Sequence, residues 1–385
     1  MSTKKLALLA LVAVGMVMWA ISLSHQTNAD KGALSAPTYL LQGLDLKDVT
    51  GIEIGAGEDK VLLQRQGDTY VVTNKDSYPV NVEQVNELIT NCLDIKTAEL
   101  YSSNPENHEL LECTEEKAKN VIKFLKGDAE LLTGIVVGKS KDEGQGTYVR
   151  LVASDDVYVT QKAPWFKTQA TDYLDQELLA EKQEDVQLVQ VKTGEDTYTL
   201  NRAEEGDAFE LEGMPAGKKL RDNESKSVAN ALSSLRFDDV KKGPVKDLAF
   251  SDAFVCQLKS GIVYKLALAK DDDKTYATCG AEYKGKKATI DPSKVDSKEE
   301  LKAKEAILKA QEKAVKFQER HKGWVYEIPS WKSEALGKPL YDLLEDLPKP
   351  AAPVDVNAPS VLDAVGVPVP AEGPAALPDA NGTDQ

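Results

Sequence analysis

Asp48-Val49-Thr50-Gly51-Ile52-Glu53-Ile54 and Asp185-Val186-Gln187-Leu188-Val189-Gln190-Val191 are two short runs built on alternating apolar and polar residues. Successive side chains of a strand point to opposite faces, so each run reads as a half-buried strand. The second run begins 137 positions after the first, and the same offset carries Leu62-Leu63-Gln64-Arg65 onto Thr199-Leu200-Asn201-Arg202. A shared offset over separated segments is the mark of an internal repeat.

Working outward from the first run, Val61 to Arg65 and Thr69 to Val72 are strands separated by the Gly67-Asp68 turn, which gives an antiparallel meander. Asn81 or a neighbour then caps a helix whose apolar residues Val82, Val85, Leu88, Ile89, Cys92 and Leu93 recur at three and four positions. A loop from Ser102 to Glu112 follows. Strands are expected at Val121–Leu125, Leu131–Val137, Thr147–Leu151 and Val157–Thr160, and a short helix at Asp172–Leu179.

The second copy carries a helix at Glu224–Leu235 and strands at Phe254–Lys259, Ile262–Ala269, Thr275–Tyr283 and Trp324–Glu327, closing on a helix at Leu340–Leu344. Pro329-Ser330-Trp331-Lys332 echoes Pro164-Trp165-Phe166-Lys167 at an offset of 165, so the second copy is longer. Most of the excess is one insertion, Ser297 to Arg320. Ser297-Lys298-Glu299-Glu300 has the capping-box pattern, and Ala303, Ile307, Ala310, Ala314 and Phe317 form one apolar stripe on a helix of about six turns. That stripe either packs on its own sheet or meets a partner helix, where alanines permit close approach.

The expected fold class is therefore α+β: two tandem copies of an antiparallel meander plus helix, preceded by one N-terminal transmembrane helix. The boundaries are a cytoplasmic segment at 1–5, an anchor at 6–23, a linker at 24–44, the first repeat at 45–180, the second at 181–347, and a tail at 348–385. The tail contains eight prolines, eight alanines and no aromatic residue, a composition that cannot bury a core.

The anchor rests on Leu6 to Leu23, an uncharged run after Lys4 and Lys5. Eighteen residues at about 1.5 Å each span ~27 Å, near the hydrocarbon thickness of a bilayer. A cleaved signal peptide has a shorter apolar core, and Thr27-Asn28-Ala29 offers only a weak cleavage site. Either reading sends the remainder of the chain across the inner membrane into the periplasm.

A net charge of −16, from 63 acidic and 47 basic residues, repels phosphate backbones and excludes nucleic acid as the expected partner. Outside the cytoplasm an even cysteine count points to disulfides, and Cys92–Cys113 with Cys256–Cys279 is the simplest pairing; four buried free thiols are the alternative. His25, His108 and His321 lack partners at metal-ligand spacing and read as solvated surface residues. Gly138-Lys139-Ser140 only partly resembles a nucleophile elbow, and Asp271-Asp272-Asp273 reads as a hairpin turn rather than a calcium loop. No catalytic residue, cofactor or metal is expected. The aromatic groups Trp165-Phe166 and Trp324 to Trp331 either cap the core or form a carbohydrate platform.

Gly43 to Ile54, Tyr78-Pro79-Val80-Asn81, Ser103-Asn104-Pro105-Glu106-Asn107 and Gly146-Thr147-Tyr148-Val149-Arg150-Leu151 before Val157-Tyr158-Val159 together resemble bacterial proteins carrying the domain of unknown function 4340. The resemblance covers about residues 40–345 and the anchor. It implies a membrane-anchored periplasmic protein, of a kind often associated with gliding-motility-type ABC transport systems, and it carries over no catalytic residue. The inserted helix and the Pro/Ala tail depart from it. The expected function is a non-enzymatic accessory or scaffold subunit of an envelope complex, with ABC permease or auxiliary subunits as partners. A glycan- or peptidoglycan-binding module and an envelope hydrolase are the alternatives; any small-molecule ligand is open.

Overall fold

The computed structural model describes residues 38–347, apart from 57–59, 128, 142–145, 162–164, 246–247 and 288–296. The expected anchor at Leu6–Leu23, most of the linker and the tail at 348–385 lie outside the described residues. Among the described residues the fold is mixed α/β, mostly sheet with few helices.

The first half of the chain runs through β1 (Thr38–Tyr39), β2 (Gly51–Ile54), β3 (Val61–Gln66), β4 (Thr69–Val72), β5 (Tyr78–Pro79), α1 (Val82–Leu93), β6 (Lys96–Ser102), α2 (Asn107–Leu110), β7 (Asn120–Lys126), β8 (Glu130–Ser140), β9 (Thr147–Leu151) and β10 (Val157–Thr160). These strands form one sheet in the order β1-β6-β10-β9-β8-β7-β2-β3-β4-β5. Of the candidate caps it is Asn81 that serves α1, its Oδ1 accepting the Glu83 and Gln84 amides at 3.0 and 3.3 Å. The apolar stripe of α1, Val85, Leu88 and Cys92, is buried on the sheet.

The second half continues with β11 (Glu177–Leu179), β12 (Val186–Thr193), β13 (Asp196–Arg202), β14 (Phe209–Leu211), β15 (Lys218–Leu220), α3 (Asp222–Ala229), β16 (Leu235–Arg236), β17 (Asp239–Lys242), β18 (Asp252–Leu258), β19 (Ile262–Asp271) and β20 (Lys274–Tyr283). It ends with α4 (Lys298–His321), β21 (Trp324–Ile328), α5 (Ser330–Leu336), α6 (Leu340–Leu343) and β22 (Leu344–Asp346). Its main sheet has the order β17-β21-β20-β19-β18-β12-β13-β14. That order is the order β6-β10-β9-β8-β7-β2-β3-β4 of the first sheet, strand for strand.

The small pairings correspond too. β1 pairs with the start of β6, and β11 pairs with β16 just ahead of β17. Val80 bridges Leu174 in the first half, and Leu220 pairs with Leu344 in the second. Arg65 on β3 reaches the Lys47 carbonyl, while Arg202 on β13 donates to the Val186 carbonyl at 2.7 Å; both sew the strand ahead onto its meander.

One hydrophobic core runs through both halves, from Ile52, Ile122 and Phe124 on the first sheet to Val189, Phe254 and Leu266 on the second. Its centre is an aromatic joint. Tyr78 of the first half stacks edge-on against Phe237 at 5.4 Å and Trp324 at 5.0 Å, with Tyr326 at 6.2 Å. Around this joint Lys75 pairs with Asp239 at 2.7 Å, the Lys242 amide donates to Asp76 at 2.9 Å, and Arg320 pairs with Asp175 at 2.5 Å. A smaller cluster, Leu111, Cys113, Ala118, Val121, Val136, Tyr148, Val157 and Val159, covers the opposite face of the first sheet.

Four expectations change. The folded part begins earlier than residue 45, because Thr38–Tyr39 pairs with β6 and Leu40 and Leu41 are buried. The stretch 172–179 is not a helix but a 3-10 turn at Ala170–Tyr173 followed by β11, since Leu178 and Leu179 are drawn into the core by pairing with β16. The helix expected to reach Leu235 stops at Ala229, for Leu235 opens β16. Lys96–Ser102, unassigned from sequence, is a strand, and the loop after it holds α2.

Gly138 on β8 explains the serine-elbow resemblance structurally. A Cβ there would meet the Leu111 carbonyl oxygen at 2.4 Å and Cys113 Sγ at 2.6 Å. The glycine lets the Leu111–Cys113 segment lie close against β8, where the Lys139 amide donates to the Leu111 carbonyl at 3.1 Å.

Neither expected disulfide is present; all four thiols are free and buried. Cys92 belongs to the main core and Cys113 to the cluster on the opposite face of the first sheet. Cys256 and Cys279 lie on β18 and β20 with β19 between them. Two strand spacings are about 9.6 Å, beyond the ~7 Å that a disulfide spans between Cα atoms. Burial pushes the Cys113 thiol up to about 11 and those of Cys256 and Cys279 up to about 12. The native protein should therefore resist a thiol reagent such as DTNB until it is unfolded, and dithiothreitol should leave Tm unchanged. A native-state reaction of two or more thiols, or a reductant-dependent Tm, would contradict this arrangement.

Candidate functional site

The inserted helix α4 is the feature that distinguishes the second half from the first, and it builds the site. The capping box forms as its sequence dictates: the Glu300 amide donates to Ser297 Oγ at 3.2 Å and the Ser297 amide to Glu300 Oε2 at 2.8 Å. The helix lies against β20 and β19. Ala310 and Ala314 are buried there. Phe317 stacks on Tyr264 at 5.0 Å, and Gln318 accepts the Ala281 amide at 3.0 Å. Gly280 permits this closeness, since a Cβ on it would come 2.8 Å from Gln318 Oε1.

The expected partner face is thus divided. Ala310, Ala314 and Phe317 pack on the helix's own sheet, Ile307 is half-buried, and Ala303 is exposed. A different set faces outward: Leu301, Leu308 and Val315, seven residues apart and 55, 46 and 55% exposed.

Between α4 and β11 runs an open groove of about 380 Å³, lined by Leu178, Lys309, Glu312, Lys313, Lys316, Phe317, Arg320 and His321. Beneath it sits Glu181, a buried carboxylate that accepts the Tyr264 hydroxyl and the Lys313 ammonium, each at 2.6 Å. Burial and then this carboxylate hold the Tyr264 hydroxyl well above the usual phenol range. His321 closes the floor. Its Nδ1 lies 2.6 Å from the Tyr326 hydroxyl, and its ring stacks on Phe317 at 4.2 Å. Burial, reinforced by the Arg320 charge, lowers its pKa to about 4.

Two histidines expected to be solvated are therefore buried. His321 is in this floor, and His108 sits on α2 with Nε2 2.9 Å from the Asp155 carbonyl. Each buried ring keeps a polar partner, Tyr326 five residues on for His321 and Asp155 forty-seven residues on for His108, and histidine spacing alone does not reveal either. His25 lies outside the described residues. Among the described residues no cluster of His, Cys, Asp and Glu is placed to hold a metal ion. Asp238, whose carboxyl is raised by burial and then by Glu327, is not among the groove residues.

The aromatic groups also divide. Phe166, Trp324 and Tyr326 are in the core, whereas Trp165 and Trp331 are 71 and 62% exposed. Lys332, buried behind Trp331, donates to the Ala231 and Ser233 carbonyls that follow α3. Its pKa is lowered by burial.

No curated protein and no solved structure matches this chain. A family model does match, over residues 70–253, a stretch that starts in β4, crosses the aromatic joint and ends in β18. Through that stretch the chain belongs to the domain of unknown function 4340 family.

Proposed function

We propose that this chain is a non-enzymatic accessory subunit of a cell-envelope membrane complex of the ABC transport class. In this reading Leu6–Leu23 anchors it in the inner membrane and two copies of one folded unit stand in the periplasm. The matching strand orders of the two sheets support the duplication. The uncharged N-terminal run supports the anchor; among the described residues no helix is long and apolar enough to cross a membrane.

The observation that carries the partner reading is α4, whose outer side keeps Leu301, Leu308 and Val315 in water while its inner side is fixed to a rigid sheet. Large apolar side chains held on a preorganised element are what a partner interface uses. A photo-crosslinking residue replacing Leu308 in intact cells should give discrete adducts with membrane proteins. A reporter fused after Leu344 should be active only outside the cytoplasm. Absence of adducts together with monomeric behaviour in mild detergent, or a reporter active only in the cytosol, would overturn the reading.

Exposed Trp165 and Trp331 favour one competing reading, a glycan-binding surface. Peptidoglycan fragments would then raise Tm by mass action; a flat response across a fragment panel removes it.

A further inference from the structure

Six basic residues of α4, Lys298, Lys302, Lys309, Lys313, Lys316 and Arg320, fall on one line of the helix. At 100° per residue they occupy roughly 60° of its circumference. They border the buried face, so the C-terminal four line the groove against β11. The chain as a whole carries −16, so this stripe is a local reversal of sign.

The inner cations are held in place from below. Lys313 is tied to buried Glu181 and Arg320 to Asp175. The outer two are not. Among the described residues Lys309 and Lys316 pair with Glu305 and Glu312 one turn back, each at 2.6 Å, and all four of these side chains are well exposed. Pairs of that exposure contribute little and are screened by salt, so an incoming carboxylate can replace either glutamate.

We propose that this groove binds an acidic peptide segment of a protein partner, laid along α4 in extended form. The inference rests on the accessory-subunit reading above and assigns its contact surface. Lys309 and Lys316, seven residues apart, are about 10.5 Å apart along the helix axis. Glutamates three positions apart in a polyproline II segment lie on the same side of it, ~9.3 Å apart, whereas on a β-strand they would point to opposite faces. The segment therefore carries Glu-x-x-Glu, with an apolar residue between the acids to fill the space between Leu178 and Phe317. Shape and charge favour this occupant over an anionic bilayer. A lipid surface is too flat to reach the groove floor, and a chain of −16 is repelled from it.

The test uses the full chain in mild detergent and a fluorescein-labelled peptide, Ser-Glu-Leu-Ala-Glu-Ser, read by anisotropy. Lys309→Gln/Lys316→Gln should weaken binding at least tenfold, and Lys309→Glu/Lys316→Glu should abolish it. Lys192→Gln/Lys259→Gln, with the same loss of charge outside the groove, should change it less than twofold. Binding should also fall steeply between 50 and 300 mM salt. Matching melting curves would confirm that the variants are folded. Equal binding by both neutral variants, or no binding by the parent chain, overturns the proposal. So does lysine-dependent binding of phosphatidylglycerol vesicles without peptide binding. If the peptide fails while crosslinks from position 308 persist in cells, the groove assignment falls and the accessory role stands.

Discussion

Tyr78→Ala is expected to lower the unfolding free energy by about 4 kcal/mol, the range found when a fully buried aromatic is cut back to alanine. Tyr78 is wholly buried, and its ring touches Phe237, Trp324 and Tyr326, all contributed by the second half of the chain. Edge-on aromatic pairs add to the burial term, so this one side chain carries an unusual share of the contact between the two sheets. The surrounding Lys75–Asp239 and Asp76–Lys242 contacts are half exposed and cannot replace it. Urea unfolding followed by tryptophan fluorescence, which reports Trp324 inside the joint, should give one transition for the parent. Tyr78→Ala should show an earlier midpoint, with the Trp324 signal changing before far-UV dichroism is lost. A midpoint within error of the parent would mean that the sheets are held by something other than this joint.

Acid should destabilise the protein through His321, and the sign follows from its environment. Its pKa is about 4 in the folded chain against an ordinary value near 6.5, because burial and the Arg320 charge disfavour the cation. Between those values the unfolded chain binds the proton and the folded chain does not. Stability from this group is therefore complete above about pH 6.5 and declines as pH falls toward 4. A difference of 2.5 pH units corresponds to about 3 kcal/mol. Exchanging His321 for glutamine should remove this pH dependence at some cost in stability at pH 7, because the bond to Tyr326 is altered. The check is the difference between the two proteins in urea unfolding at pH 7 and pH 4. Subtracting the variant cancels the carboxylates, which titrate in both. Parallel stability curves across that window would show that His321 is not held neutral.

The sequence carries much of the architecture because the strands that alternate cleanly are the interior strands of each sheet. Val61–Gln66 and Val186–Thr193 have one face on the core and neighbours on both sides, so their pattern reflects burial directly. Residues 96–102 and 177–179 were not legible. The first becomes a strand by pairing with β10 and β1 and the second by pairing with β16, all distant in sequence, and pairing leaves no local pattern. The 3-10 turn at Ala170–Tyr173 and the strand after it likewise look helical by spacing alone.

The candidate site was legible in part. The inserted helix, its Ser297 cap and its apolar stripe follow from residues within one segment, where period and capping chemistry decide. Which way the stripe faces did not. Whether Ala310 and Ala314 meet a partner or the chain's own β20 depends on how closely the sheet can approach, and Gly280 settles that from another element. The basic stripe was readable as letters, but it became a groove only when β11 came to lie beside it.

By itself the sequence determined the interior strands and the capped helices, because each rests on contacts or periodicities within a few residues. Only the tertiary structure decided the free state of the four cysteines, the burial of His108 and His321, the edge strands and the joint around Tyr78. Those depend on the distance between elements far apart in the chain, a quantity no local pattern encodes.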